Sequence, residues 1–193
     1  MLQPDLSALL ADLTSGDEAR AENAVPGLAA LGEAALPGLL EILGTPDRDR
    51  RWWATRALAA LGGDGAVAAL ERALQDPESE IRQCAALGLR HRPVAGAVRA
   101  LCAALNDPDR LTARLAGDAL IAVGPRATPD LIELIAQAEP AAKIEAVRAL
   151  AGIGDQRAIP ALYALLDDPS ALVQHWAEEA LERMGVGMVY FKP

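Results

Sequence analysis

Six alanines set a register that leaves little freedom in how this chain folds. Ala24, Ala54, Ala85, Ala116, Ala146 and Ala177 follow one another at intervals of 30 or 31 residues. Four residues after each stands a leucine: Leu28, Leu58, Leu89, Leu120, Leu150 and Leu181. Three residues after each stands a small residue, Gly27, Ala57, Gly88, Ala119, Ala149 or Ala180. Positions i, i+3 and i+4 share one face of an α-helix. A period this strict describes one supersecondary unit stacked on copies of itself, because a single pair of helices cannot bury its apolar faces alone.

Each unit reads as two helices, A then B. Helix B carries the alanine, small and leucine positions; the small residues admit a neighbouring helix and the leucine fills the seam. B ends at Gly32, Gly62, Pro93, Gly124, Gly154 or Gly185. Glycine accepts the left-handed conformation beyond a helix end, and proline cannot continue a helix. Eight residues past each turn from Gly32 to Gly154, helix A repeats an apolar position at Leu40, Leu70, Leu101, Ile132 and Leu162. Pro37, Pro129 and Pro160 fall near the A-helix starts, where a missing N–H costs little. Thr45-Pro46, Asp76-Pro77, Asp107-Pro108, Glu139-Pro140 and Asp168-Pro169 separate A from B, and the acidic residue before proline is expected to cap B. The ends depart from the pattern. Pro26 predicts a kink or restart in the first B helix, and Val186 to Pro193 are expected to fold back over the last repeat or to dock on another subunit.

Composition agrees with helices throughout. Hydrophobic residues make up 52% of the chain and aromatics 3%, an Ala- and Leu-rich balance that suits packed helices better than strands. The formal charge of -9 opposes general binding to nucleic acid or an anionic membrane, leaving room for a local basic patch. With no basic segment before an apolar run and no apolar stretch of about 18 residues, neither export nor membrane insertion is indicated and the expected location is cytoplasmic; a monomer is the separate default expectation. Cys84 and Cys102 form no C-x-x-C pair and read as reduced, semi-buried thiols.

The register, the Asp-Pro break, the Arg-Ala-Ile-Pro-Ala-Leu entry at Arg157 to Leu162 and the Ala/small/Leu seam resemble HEAT repeats of the phycobilisome-lyase HEAT-like type, a short bacterial form. The resemblance covers nearly the whole chain. It implies an all-α, right-handed α-solenoid of about six helical hairpins in one domain, 1–193, with an atypical cap at 1–32, regular repeats at 33–185 and a tail at 186–193. It also implies a ladder of an Asp before helix B with a cation inside it, which Asp76 and Arg82 fit and Ala113 and Gln174 break. In such a solenoid the B helices line the concave face.

Opposite the seam, each B helix then presents the positions two before, two after and five after its anchor alanine. These are Trp52, Arg56 and Ala59; Gln83, Leu87 and Arg90; Arg114, Asp118 and Ile121; Ile144, Arg148 and Ala151; and His175, Glu179 and Glu182. Four arginines, one per repeat, in an acidic chain point to a groove for an acidic or phosphorylated segment, held by planar guanidinium forks. The plainer reading is a solvated face, with Arg114 and Asp118 satisfying each other at i, i+4. Trp52, an aromatic expected on an exposed column, favours the groove. The candidate binding residues are therefore Trp52, Arg56, Arg90, Arg114, Asp118, Arg148 and His175, and the expected partner is a protein or peptide. Trp53 and Trp176 flank the seam and are expected to pack between repeats.

No catalytic motif stands beside this. His91 and His175 lie apart, no Cys/His or His/carboxylate spacing suits a metal, and no Walker, Rossmann or nucleophile-elbow pattern calls for a cofactor. Gly62-Gly63-Asp64-Gly65 sits at an inter-repeat turn and reads as structural. Two alternatives remain: HEAT-like alkylpurine DNA glycosylases resemble the face through Trp52, Asp118 and Arg148, but need a basic surface, and bilin-lyase relatives hold a chromophore and its acceptor protein. The leading expectation is a non-catalytic scaffold or adaptor.

Overall fold

In the computed structural model, residues 5–186 are described, and among them every regular element is helical. The contacts group into two compact units, residues 1–92 and 93–193, where the sequence suggests one domain. The division falls at the one B-helix end without a glycine, where Arg92 leaves the helical region (φ -131°, ψ 74°) ahead of Pro93.

Unit 1 holds α1 (Leu6–Leu13), α2 (Glu18–Leu31), α3 (Leu36–Leu43), α4 (Arg48–Leu61), α5 (Asp64–Ala73) and α6 (Ser79–His91). Unit 2 holds α7 (Val98–Ala104), α8 (Arg110–Val123), α9 (Thr128–Ile135), α10 (Pro140–Ile153), α11 (Ile159–Ala164) and α12 (Ala171–Arg183). Odd-numbered helices are the A helices and even-numbered ones the B helices. In each unit the B helices stack in a row, α2 on α4 on α6 and α8 on α10 on α12, and each A helix packs on its own B partner.

The seam is the core. All six anchor alanines are 2% exposed or less, as are all six leucines four residues on. Five B helices end on glycine with positive φ: Gly32, Gly62, Gly124, Gly154 and Gly185, the region in which a side chain costs most. At Gly88 a Cβ would lie 2.7 Å from the Cβ of Ala59 and 3.3 Å from its Cα, so α4 and α6 approach to a distance that only hydrogen fits.

Four local expectations need correction. First, Leu39 and Leu131, not Leu40 and Ile132, fill the A-helix core position; both are 0% exposed. With Leu70, Leu101 and Leu162 they each stand fifteen residues before the next anchor alanine. The A helix is therefore positioned by the B helix it packs against, and the repeats of 30 residues omit a residue from the turn before A. Second, α2 does not restart at Pro26 but continues through it from Glu18 to Leu31.

Third, the acid before proline does not cap B directly: Asp76, Asp107 and Asp168 accept from the backbone N–H two residues on. The helix-capping carboxylates of α4 and α8 are instead Asp47 and Asp109. The ladder runs forward between repeats, Arg51 Nε to Asp76 at 2.8 Å and Lys143 Nζ to Asp168 at 2.9 Å. Arg82 donates to the carbonyls of Asp76 and Pro77, as Gln174 does to Asp168. Fourth, Glu18–Leu43 is a 26-residue run whose mean hydropathy reaches 1.3. Gly32, at φ 57°, divides it into helices of 14 and 8 residues, each shorter than the roughly 20 residues that span a bilayer. The expected docking of the tail lies almost wholly outside the described residues; Tyr163 Oη donates to the Val186 carbonyl at 2.9 Å.

The turn before α11 has a pH consequence. Asp155 is held down to about 2 by hydrogen bonds from the Arg157 side chain and backbone N–H. A depressed carboxylate contributes stability that is present above its ordinary value and lost as pH falls through the folded one. Asp155→Asn is therefore expected to flatten the fall in melting temperature between about pH 4 and pH 2, measured by circular dichroism.

Candidate binding site

In unit 1 the outward positions of α4 and α6 form an open cleft of about 900 Å³. Its walls carry Trp52, Arg56, Gln83, Leu87, His91 and Arg92, with Glu80 at the edge and Cys84 and Gly88 below. Trp52 is half-buried rather than fully exposed, and Trp53 meets it edge-to-face, ring centroids 4.8 Å apart at 88°. Such a pair stiffens the indole without covering it, the arrangement of an interface anchor. Leu87 is 38% exposed, a large apolar side chain left open in the same cleft.

The cations of unit 1 differ in freedom. Arg56 Nη2 lies 3.0 Å from Glu22 Oε1, both side chains substantially solvated, a pair worth at most about 1 kcal/mol and so exchangeable for a ligand. Arg90 is exposed and makes no ion pair among the described residues; it and His91 occupy the last turn of α6, where a cation also complements the helix dipole. Arg92 Nη2 donates to the Ala60 carbonyl at 2.9 Å. Arg92 follows the end of α6 and so belongs to no helical column, and Leu87 lies in its column without a charge to mark it.

In unit 2 the outward column is reorganised. Arg148 is 7% exposed, not open as expected. Its Nη1 lies 2.8 Å from Asp118, its Nε 2.7 Å from Glu145, and its Nη2 donates to the Arg114 carbonyl at 3.0 Å. Gly117 makes the space: a Cβ there would sit 2.6 Å from Nη2. Arg148 is thus a strut from α10 to α8, and Asp118 is bound to it rather than to Arg114. Arg114 stays exposed with no ion pair among the described residues. His175 is exposed, its ring 5.8 Å from that of Trp176 and its Nε2 3.8 Å from Glu179, which also holds Arg183.

The buried thiols hold their protons. Burial pushes Cys84 up to about 11, against a small opposing pull from Arg56; burial first, then Asp130, pushes Cys102 to about 12. Neither is a thiolate near neutral pH, the form needed for attack or metal ligation. Among the described residues no group of three His, Cys, Asp or Glu side chains is placed to hold a metal ion.

The family model for HEAT repeats matches residues 6–90 and 98–182. Among solved structures, the archaeal HEAT-like repeats protein from Thermococcus onnurineus NA1 superposes with a TM-score of 0.63 at 15% identity, covering 100% of this chain and 85% of that one. The complex of CpcE and CpcF of phycocyanin lyase from Nostoc sp. PCC7120 gives 0.57 at 24% identity, covering 75% and 96%. A designed armadillo repeat protein in complex with the peptide (KR)4 gives 0.52 at 22% identity, covering 94% and 100%. At these identities the likeness concerns the fold. No curated protein matches the sequence.

Proposed function

This chain belongs to the HEAT-repeat family, and from that premise we propose that it is a non-catalytic protein-binding scaffold whose unit 1 cleft takes an acidic or phosphorylated peptide segment bearing an apolar side chain. The observation that carries the reading is one cleft holding a propped indole, an exposed leucine and guanidinium groups: Trp52, Leu87, Arg56 and Arg92. The aromatic and aliphatic walls suit an apolar anchor, and planar guanidinium groups suit a carboxylate or phosphate beside it. Two of the fold neighbours were solved as complexes, one with a peptide and one of two chains, and stacked repeats commonly offer extended surfaces to partners. The glycosylase alternative loses two of its three residues to other work, since Asp118 and Arg148 are tied to each other.

The test is fluorescence polarisation with a labelled peptide of alternating phosphoserine and leucine, against wild type, Arg56→Glu/Arg92→Glu and Trp52→Ala. Each variant is expected to weaken binding about tenfold or more, and the wild-type affinity to fall with added salt. Unchanged affinity in both variants would overturn the assignment.

A further inference from the structure

Unit 2 carries a second cleft on the other helix row. It runs along α7 and α9, from Arg99 and Asp130 in their first turns to their C-terminal ends, and reaches the start of α10, with a volume of about 700 Å³. Cys102, Ala103, Leu134, Ala138 and Ala142 supply its apolar lining. Asp130, Glu133 and Glu139 stand on it, and none of the three makes an ion pair among the described residues. Arg99 is the one cation among the lining residues.

Backbone electrostatics adds to the same sign. Neither α7 nor α9 has a basic residue in its last turn, so the partial negative charge of each helix C-terminus faces this end of the cleft without a compensating side chain. The side chains of Asn106 and Gln137 add amide oxygens able to accept hydrogen bonds. Burial, and after it the Asp130 carboxylate, raise the Cys102 thiol beside them.

We propose that this cleft between α7, α9 and α10 docks a basic peptide segment, with lysine or arginine on the carboxylates and a small apolar residue on the alanine floor. The surface differs in helix row and in charge from the unit 1 cleft, so the chain carries two docking sites of opposite preference and acts as an adaptor between two segments. A chain of net charge -9 steers a cationic segment towards itself at long range. The cleft then supplies the fit that a diffuse field lacks.

The probe is a fluorescein-labelled peptide of alternating lysine and alanine, titrated into the full chain at 50 mM and 200 mM salt. Asp130→Asn/Glu133→Gln/Glu139→Gln is expected to weaken binding about tenfold. The control Glu18→Gln/Glu41→Gln/Glu71→Gln removes the same charge from unit 1 and is expected to change it less than about twofold. Ala103→Glu, which puts a long side chain on the exposed apolar lining while adding an acid, is expected to weaken binding despite the added attraction. Equal losses in the two triple variants would show attraction to the overall charge alone and overturn the proposal, as would no loss in either. A dimer in sedimentation that dissociates in the Asp130/Glu133/Glu139 variant would assign the cleft to a second copy of the chain and overturn it as well.

Discussion

Leu131→Ala is expected to lower the unfolding free energy by about 2–5 kcal/mol, whereas Ile132→Ala, one residue further on, is expected to lower it by only about 1 kcal/mol. Leu131 is 0% exposed beneath α10, and Ile132 is half-buried on the flank of α9. Urea denaturation followed by circular dichroism measures both. Repeats within a unit contact their neighbours in series, so the loss is expected as an earlier transition in unit 2. Equal losses would place Ile132 in the core and restore the register counted from the preceding glycine.

Arg148→Ala is the second large effect, expected at about 2–4 kcal/mol. Removing one partner of a buried pair leaves its counter-charges uncompensated. Here Asp118 and Glu145 would be left facing the vacated space beside Gly117, and the Arg114 carbonyl would lose its donor. The carboxylates retain some solvent, at 27% and 18% side-chain exposure, which keeps the figure below that of a fully buried triad. Arg148→Met/Asp118→Asn/Glu145→Gln removes charge and counter-charge together and is expected to recover more than half of the loss. A single variant that unfolds like wild type would show that the strut carries no stability.

The repeat architecture was legible because it depends on short-range chemistry repeated six times. Each alanine, small residue and leucine on a B helix specifies its burial without reference to anything distant, and all but the half-buried Gly27 are buried where the period puts them. The A helices were read less well. The turn is a poor guide to their register, because a loop of variable length follows it and Leu39 and Leu131 are fixed by the helix that comes after. Counting back from Ala54 and Ala146 would have found them. The unit boundary also had a local sign in Pro93, the one terminator that cannot supply the left-handed turn.

The outward face was harder to read for a physical reason. A helical column says which way a side chain leaves its own helix, but a long side chain such as Arg148 reaches a neighbour, and its exposure is decided there. Gly117 and Asp118 on α8 fold the Arg148 guanidinium inward, while Arg56 on the equivalent column of α4 reaches the solvated Glu22 and stays partly open. Trp52 likewise depends on Trp53 for its pose. The acidic unit 2 cleft was not visible in any single helix, since its lining comes from two A helices and the start of a B helix.

The central claim is that the unit 1 cleft is the site at which a partner's acidic segment docks, and side-chain NMR tests it most directly. A titration of the full, 15N-labelled chain with the phosphoserine-leucine peptide is expected to move the Trp52 indole N–H and the Arg56 and Arg92 Nε–H resonances together, with a single dissociation constant. The Trp176 indole and Arg148 Nε–H, held in unit 2, are expected to stay in place. Movement of the unit 2 resonances with those of Trp52 and Arg56 unchanged would contradict the account.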